Sequence, residues 1–134
     1  MKKRFFCLLL PAITLVLEIL PYGAVLNFGR PAEDGSVGYF RETYSYFDIL
    51  PFGYANFAPM ITGILTCITI LFVVAYCFSG KNSSVVTGRR LCLVTAVINL
   101  CPLFYGVRYL SLVGILISVS LVAEAWLLTK EIKK

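Results

Sequence analysis

One strongly polar residue interrupts the first apolar run of the chain. Glu18 shares a helical face with Thr14, because residues four apart lie on the same side of a helix. An ionised carboxylate at membrane depth costs several kcal/mol, so we expect Glu18 to face other helices or a water pocket. There it could bind an ion or a ligand, or carry a proton and hydrogen-bond to a neighbouring helix. The sequence leaves both roles open.

The segment around Glu18 recurs later in the chain. Residues 13–21 (ITLVLEILP) align with residues 94–102 (VTAVINLCP), and the alignment places Asn99 opposite Glu18. A second pair of matching segments follows in the same order, at 63–69 and 114–120. Two copies that enter the membrane from the same side predict a 2+2 parallel internal repeat.

This repeat predicts a polar site inside a helix bundle. A threonine precedes the polar residue by four positions in each copy, and the second apolar run carries a threonine stripe of its own. Such hydroxyls can hydrogen-bond across helices. The predicted intramembrane site consists of Glu18, Asn99, Thr14, Thr95 and Thr66.

Apolar runs set the architecture. The chain has 134 residues, of which 59% are hydrophobic and 14% charged, and its mean hydropathy is +0.86. A membrane-spanning helix needs about 20 apolar residues, and four runs approach that length. We therefore predict an all-α integral membrane protein, a four-transmembrane-helix bundle in a single domain over 1–134. The predicted spans are about 5–27, 57–78, 86–105 and 109–128.

Basic residues predict the orientation. Lysine and arginine cluster before the first span, between the second and third, and after the fourth, whereas the loop 28–56 also carries acidic residues. The positive-inside rule then predicts cytoplasmic termini, an extracytoplasmic 28–56 loop and a place in the cell membrane. The net charge of +5 is explained by this topology, and the sequence has no nucleic-acid-binding motif. Glu124, near the end of the fourth run, is expected to extend toward the cytoplasmic interface or a basic neighbour.

Aromatic residues dominate the predicted outer loop. On a helical wheel of residues 37–50, Tyr39, Phe40, Tyr44 and Phe47 share one face, with charged residues opposite. This pattern predicts a short amphipathic helix on the outer interface, ending before a proline. Its aromatic face would either anchor the loop at the membrane surface or form an interaction face for a partner.

Several functional classes find no support in the residues present. Histidine is absent, and the five cysteines lie in apolar runs without a Cys-x-x-Cys spacing. These features exclude His-ligated haem and the usual zinc sites. With no nucleophile–base motif either, we expect no enzyme, no cofactor and no metal.

Three functional classes remain, of which a membrane enzyme ranks last because no catalytic motif is present. The first is an accessory or binding protein that presents the aromatic extracytoplasmic face to a lipid or a membrane-protein partner. The alternative is a small transporter or channel that uses Glu18, which would require a homo-oligomer because four helices enclose little volume. Four spans with a carboxylate in the first resemble small multidrug transporters in outline, although this chain has a longer outer loop and a stronger charge bias.

Overall fold

The computed structural model describes residues 5–31, 35–48 and 57–132. We number the main elements in chain order: α1 (Leu9–Ile19), β1 (Ala24–Pro31), β2 (Val37–Tyr44), α2 (Ala58–Ser79), α3 (Asn82–Leu100) and α4 (Leu112–Ile132). Short 3-10 turns occur at Phe6–Leu8, Cys101–Tyr105 and Val107–Tyr109. The chain is mostly helical.

Prolines and a glycine set the helix ends. Leu20 is extended, with φ −64° and ψ 137°, because the residue before a proline avoids the helical conformation, and α1 stops there. Pro102 falls in the 3-10 turn that follows α3, so the two prolines of the sequence repeat both lie where a helix ends. At the end of α2, Gly80 adopts φ +67° and its N–H donates to the Tyr76 carbonyl at 2.8 Å.

Three helices of the described residues are long and apolar enough to cross a membrane: Ala58–Ser79, Asn82–Tyr105 and Leu112–Ile132. The apolar helix at the start, Phe6–Ile19, is shorter. It ends well before residue 27, where the predicted first span stops, because the chain leaves the helix before Pro21 and enters β1 at Ala24. A fourth span and the 2+2 repeat therefore stay predictions.

The helices pack side by side. Helix α1 packs against α2 and α4, α2 against α3, and α3 against α4. Three contacts show that α1 and α4 run antiparallel: Ser111 bonds to Gly23, Thr14 to Ser120, and Cys7 shares an apolar cluster with Leu128. We call the end near Gly23 and Ser111 the hairpin end.

The predicted amphipathic helix is wrong. Residues 37–44 form strand β2, which pairs antiparallel with β1 from Ala24↔Tyr44 to Pro31↔Val37. The strand is favoured because the preceding segment, read as part of the first span, is itself extended and supplies a partner for its backbone groups. Residues 49–50 of that predicted helix lie outside the described residues, as do residues 32–34 and 51–56 of the loop.

Many polar side chains of the helices are buried, and many large apolar ones are exposed. The exposed surface of the helices carries large apolar residues, including Leu71, Phe78, Val97 and Leu112. The helix interior is rich in hydroxyl, amide and carboxyl groups. The buried polar residues of the four helices are Thr14, Glu18, Thr62, Thr66, Thr69, Thr95, Asn99, Ser118, Ser120 and Glu124. An apolar exterior around an interior that combines apolar clusters with polar groups is the arrangement expected of helices in a bilayer.

Candidate functional site

Glu18 occupies the interior of the bundle. It lies on the last turn of α1 and its side chain is 0% exposed. The Thr66 hydroxyl, on α2, donates a hydrogen bond to its Oε1 at 2.7 Å. Its other oxygen, Oε2, has no hydrogen-bond partner among the described residues. Within the described ranges, only one of its two carboxyl oxygens is thus hydrogen-bonded, which is unusual for a buried carboxyl group.

One turn before Glu18, Thr14 joins α1 to α4. Its hydroxyl donates to the Leu10 carbonyl at 3.0 Å and lies 2.6 Å from the Ser120 hydroxyl. Because the single hydroxyl hydrogen of Thr14 is used in the bond to Leu10, the Ser120 hydroxyl is the donor of the Thr14–Ser120 bond. Of the other predicted threonines, Thr95 is buried on α3 and donates to the carbonyl of its own helix at Leu91.

Asn99 lies at the hairpin end, with its hydrogen-bonding groups paired. Its Nδ2 donates to the Gly114 carbonyl at 2.9 Å and to the Ser118 hydroxyl at 2.7 Å. Its Oδ1 accepts the Tyr46 hydroxyl at 2.6 Å. These bonds tie α3 to α4 and to the segment that follows the hairpin.

Tyr46 is the residue that links the two halves of the predicted site. Its backbone N–H donates to the Glu18 carbonyl at 2.9 Å, while its hydroxyl reaches Asn99. The described residues show no direct hydrogen bond between the Glu18 and Asn99 side chains. The two matching positions of the repeat are therefore bridged by an inserted tyrosine.

A tight turn at residues 45–48 inserts this tyrosine. The Asp48 carboxylate accepts the Ser45 N–H at 2.7 Å, and the Ser45 hydroxyl donates to the Glu18 carbonyl at 3.1 Å. The Tyr46 ring then lies against Gly23, where a Cβ would come within 2.7 Å of the ring, so only glycine fits there. Burial raises the pKa of the Tyr46 hydroxyl, and the nearby Glu18 carboxylate raises it further.

A small cavity lies beneath the tyrosine. It has a volume of about 10 Å³, and its walls include Tyr46, Asn99 and Gly114. That is roughly the space that one water molecule needs. The cavity at the hairpin end therefore has room for about one water molecule.

Glu124 is a second buried carboxylate. Its side chain is 1% exposed, so it does not extend to an interface as expected. The Cys92 thiol interacts with the carboxylate, but neither Glu124 oxygen has a partner of ordinary hydrogen-bond geometry among the described residues. Glu124 is also close enough to interact electrostatically with Glu18. Glu124 therefore lies inside the bundle, on a helix that packs against α1.

The four residues of the predicted outer face are separated by the strand. Side chains alternate along β2, so Phe40 and Tyr44 point to one side and Tyr39 to the other. Tyr39 is 70% exposed, whereas Phe40 is 44% exposed and stacks on Phe28 with ring centres 5.4 Å apart. Phe47 lies in the turn, against Gly63 of α2.

Tyr46 is not among the residues of the predicted site, and Glu124 was expected near the cytoplasmic interface or a basic neighbour. Gly23 and Gly114 could have indicated that a large side chain such as Tyr46 packs here, because a glycine leaves room for it close to the backbone. The described residues contain no group of three or more histidine, cysteine, aspartate or glutamate side chains that could hold a metal ion. Comparison of the chain with protein-family models, with curated proteins and with solved structures finds no match.

Proposed function

We propose that this chain is a small accessory membrane protein that presents its β-hairpin to another membrane protein on the extracytoplasmic side. The observation that carries the proposal is the difference in burial between the two ends of the hairpin. The start of β1 is buried and fixed to the helices, while the outer half of the hairpin displays exposed apolar side chains.

Polar contacts hold the base of the hairpin. Ala24, Val25 and Leu26 at the start of β1 are buried, and the Ser111 hydroxyl donates to the Gly23 carbonyl at 2.6 Å just before them. On the other strand, Arg41 donates to the Leu110 carbonyl at 3.0 Å. These contacts fix the hairpin relative to the helices, which reduces the conformational entropy that would be lost when a partner binds.

The outer half of the hairpin offers a binding surface. Val37, Tyr39 and Phe40 are exposed, and aromatic residues are enriched where proteins bind one another. Strand β2 has only β1 as a neighbour among the described strands, so its second edge supports pairing with an extended segment of a partner. A two-stranded sheet is marginally stable alone, and a third strand would stabilise it.

The distribution of basic residues supports an extracytoplasmic location for the hairpin. The helix connection at the opposite end of the bundle contains Lys81 and leads to Arg89 and Arg90. The positive-inside rule places that connection in the cytoplasm and the hairpin outside.

Site-specific photo-crosslinking in native membranes tests the proposal. A crosslinker at Tyr39 should give a discrete protein adduct, and the double variant Tyr39→Ser, Phe40→Ser should reduce co-purification of that protein at least tenfold. Phe104→Ser is the matched control, because Phe104 is also an exposed aromatic residue at the hairpin end but lies outside the hairpin.

Two results would contradict a protein partner. One is recovery of the same protein at equal yield from the double variant. The other is crosslinking of Tyr39 to phospholipid alone, which would make the hairpin a lipid anchor at the membrane interface.

A second candidate function is a small oligomeric transporter or channel that uses Glu18. The specific observation in its favour is that Oε2 of this fully buried carboxyl group has no hydrogen-bond partner in the described ranges. The cavity of about 10 Å³ beneath Tyr46 is too small for a solute, so transport would need a second copy and movement of the turn. Loss of ion-dependent flux in reconstituted Glu18→Gln, with folding unchanged, would favour this function over the first.

A further inference from the structure

Two carboxyl groups lie in the interior of one small bundle, and neither is paired with a cationic side chain within the part of the chain that the structure describes. Glu18 and Glu124 are 0% and 1% exposed. Three of their four oxygens, Glu18 Oε2 and both oxygens of Glu124, have no hydrogen-bond partner among the described residues. Buried polar groups are normally paired, so each of these atoms calls for an explanation.

The helix geometry directs the two side chains toward one level of the bundle. In a helix the Cα–Cβ bond tilts toward the N-terminus, so Glu18 leans back toward Thr14 and Glu124 leans back toward Ser120. Because α1 and α4 run antiparallel, the two side chains tilt toward each other along the bundle axis. The Thr14–Ser120 hydrogen bond marks the level between them, about 6 Å along the axis from each glutamate.

The groups around this level are polar but uncharged. Thr66 donates to Glu18, and the Cys92 thiol interacts with Glu124. Tyr46 and Cys67 are the other titratable groups that interact electrostatically with Glu18, and both are neutral acids in their ordinary state. Two negative charges in such a site would lack hydration and would repel each other.

From this arrangement we infer that Glu18 and Glu124 form a coupled proton-binding site in the bundle interior. Glu18 Oε2 binds one proton and a Glu124 oxygen binds another, each forming an O–H bond to a proton taken from solvent water. A proton is favoured over a metal ion because the described residues contain no cluster of three or more acidic or thiol ligands. The site depends neither on a partner for the hairpin nor on transport.

Infrared spectroscopy of the full-length protein in liposomes tests the inference. A protonated carboxyl group in an apolar site gives a C=O stretching band that is separate from the carboxylate bands. At neutral pH the parent should show this band, and Glu18→Gln and Glu124→Gln should each lose about half of its intensity. The exposed Glu42 supplies the control, and Glu42→Gln should leave the band unchanged.

Coupling between the two groups gives a second readout. In Glu124→Gln the band of Glu18 should disappear at a lower pH than in the parent, because the neighbouring negative charge that opposes its ionisation is gone. Identical titration of the remaining band in the parent and in the variant would overturn the coupling.

A labelling experiment avoids variants that fail to fold. Dicyclohexylcarbodiimide reacts with protonated carboxyl groups in apolar surroundings, so mass spectrometry of the labelled parent should locate adducts at Glu18 and Glu124. Absence of labelling and of the infrared band would overturn the inference. Saturable protection of both residues by sodium or potassium ions at constant pH would also overturn it, in favour of a metal-cation site.

Discussion

The hairpin end and the middle of the bundle are both polar and buried, yet they differ in how well their polar groups are paired. At the hairpin end, Tyr46, Asn99 and Ser118 form a connected hydrogen-bond network. In it, the Asn99 Oδ1 accepts one hydrogen bond and the Asn99 Nδ2 donates two. In the middle, Glu18 is half paired, while Glu124 and the Thr62 hydroxyl have unpaired atoms within the described ranges.

This difference separates two uses of a buried polar group. A fully paired network fixes one arrangement of helices and tolerates little change. Unpaired carboxyl groups lower stability unless a ligand or a proton compensates them, so proteins keep them where they have a function. We therefore assign the Tyr46 network to structure and the carboxyl pair to chemistry.

Removal of Tyr46 should give the largest loss of stability. Tyr46→Ala leaves a cavity and unpairs the Asn99 Oδ1, which should cost about 3–5 kcal/mol in unfolding free energy. Reversible unfolding in mixed detergent micelles, followed by circular dichroism, measures it. The neighbouring Phe47 is exposed on one side, so Phe47→Ala should cost clearly less. Equal losses of unfolding free energy in the two variants would show that the Tyr46 network contributes no more to stability than the Phe47 side chain.

Thr66→Val should have the next largest effect. Valine matches the shape of threonine but cannot donate to Glu18 Oε1, which leaves both oxygens of that carboxyl group unpaired. The expected cost is about 1–3 kcal/mol in the same unfolding assay. A neutral result would mean that the Thr66–Glu18 bond does not hold the carboxyl group in place.

High pH should weaken the Tyr46 network selectively. Burial raises the pKa of Tyr46 in the folded protein above its ordinary value of 10.0, so the unfolded chain releases the proton first as pH rises. The stability of the parent relative to Tyr46→Phe should therefore fall above pH 10, by about 1.4 kcal/mol per pH unit. The other tyrosines are common to both proteins, so they cancel in the difference. A constant difference across this range would mean that Tyr46 is not buried.

Thr62→Val should have the smallest effect. The Thr62 hydroxyl is buried without a partner among the described residues, so an apolar side chain of the same shape should change stability by less than about 0.5 kcal/mol or increase it. The Thr66→Val variant, one turn away on the same helix, is the matched comparison. A cost at Thr62 as large as at Thr66 would show that the middle of the bundle is paired by a bound molecule.

Part of this fold was readable from the residues. The long apolar runs predicted α2, α3 and α4, and the lone carboxylate in the first run predicted that Glu18 is buried. The hairpin was missed because aromatic residues at 37–50 also fit a helical wheel. Asp34-Gly35, a dipeptide common in hairpin turns, stands between two runs of strand-forming residues and could have indicated it.

The sequence by itself determined that the helices are apolar outside and carry polar stripes, because hydrophobicity and helical spacing are local properties of the chain. Only the tertiary structure decided which polar groups meet. Tyr46 lies 28 residues after Glu18 in the chain and Asn99 lies 53 residues after Tyr46, yet the turn at 45–48 brings them together. Likewise, Glu18 and Glu124 lie on two helices that pack against each other, and no local pattern encodes that packing.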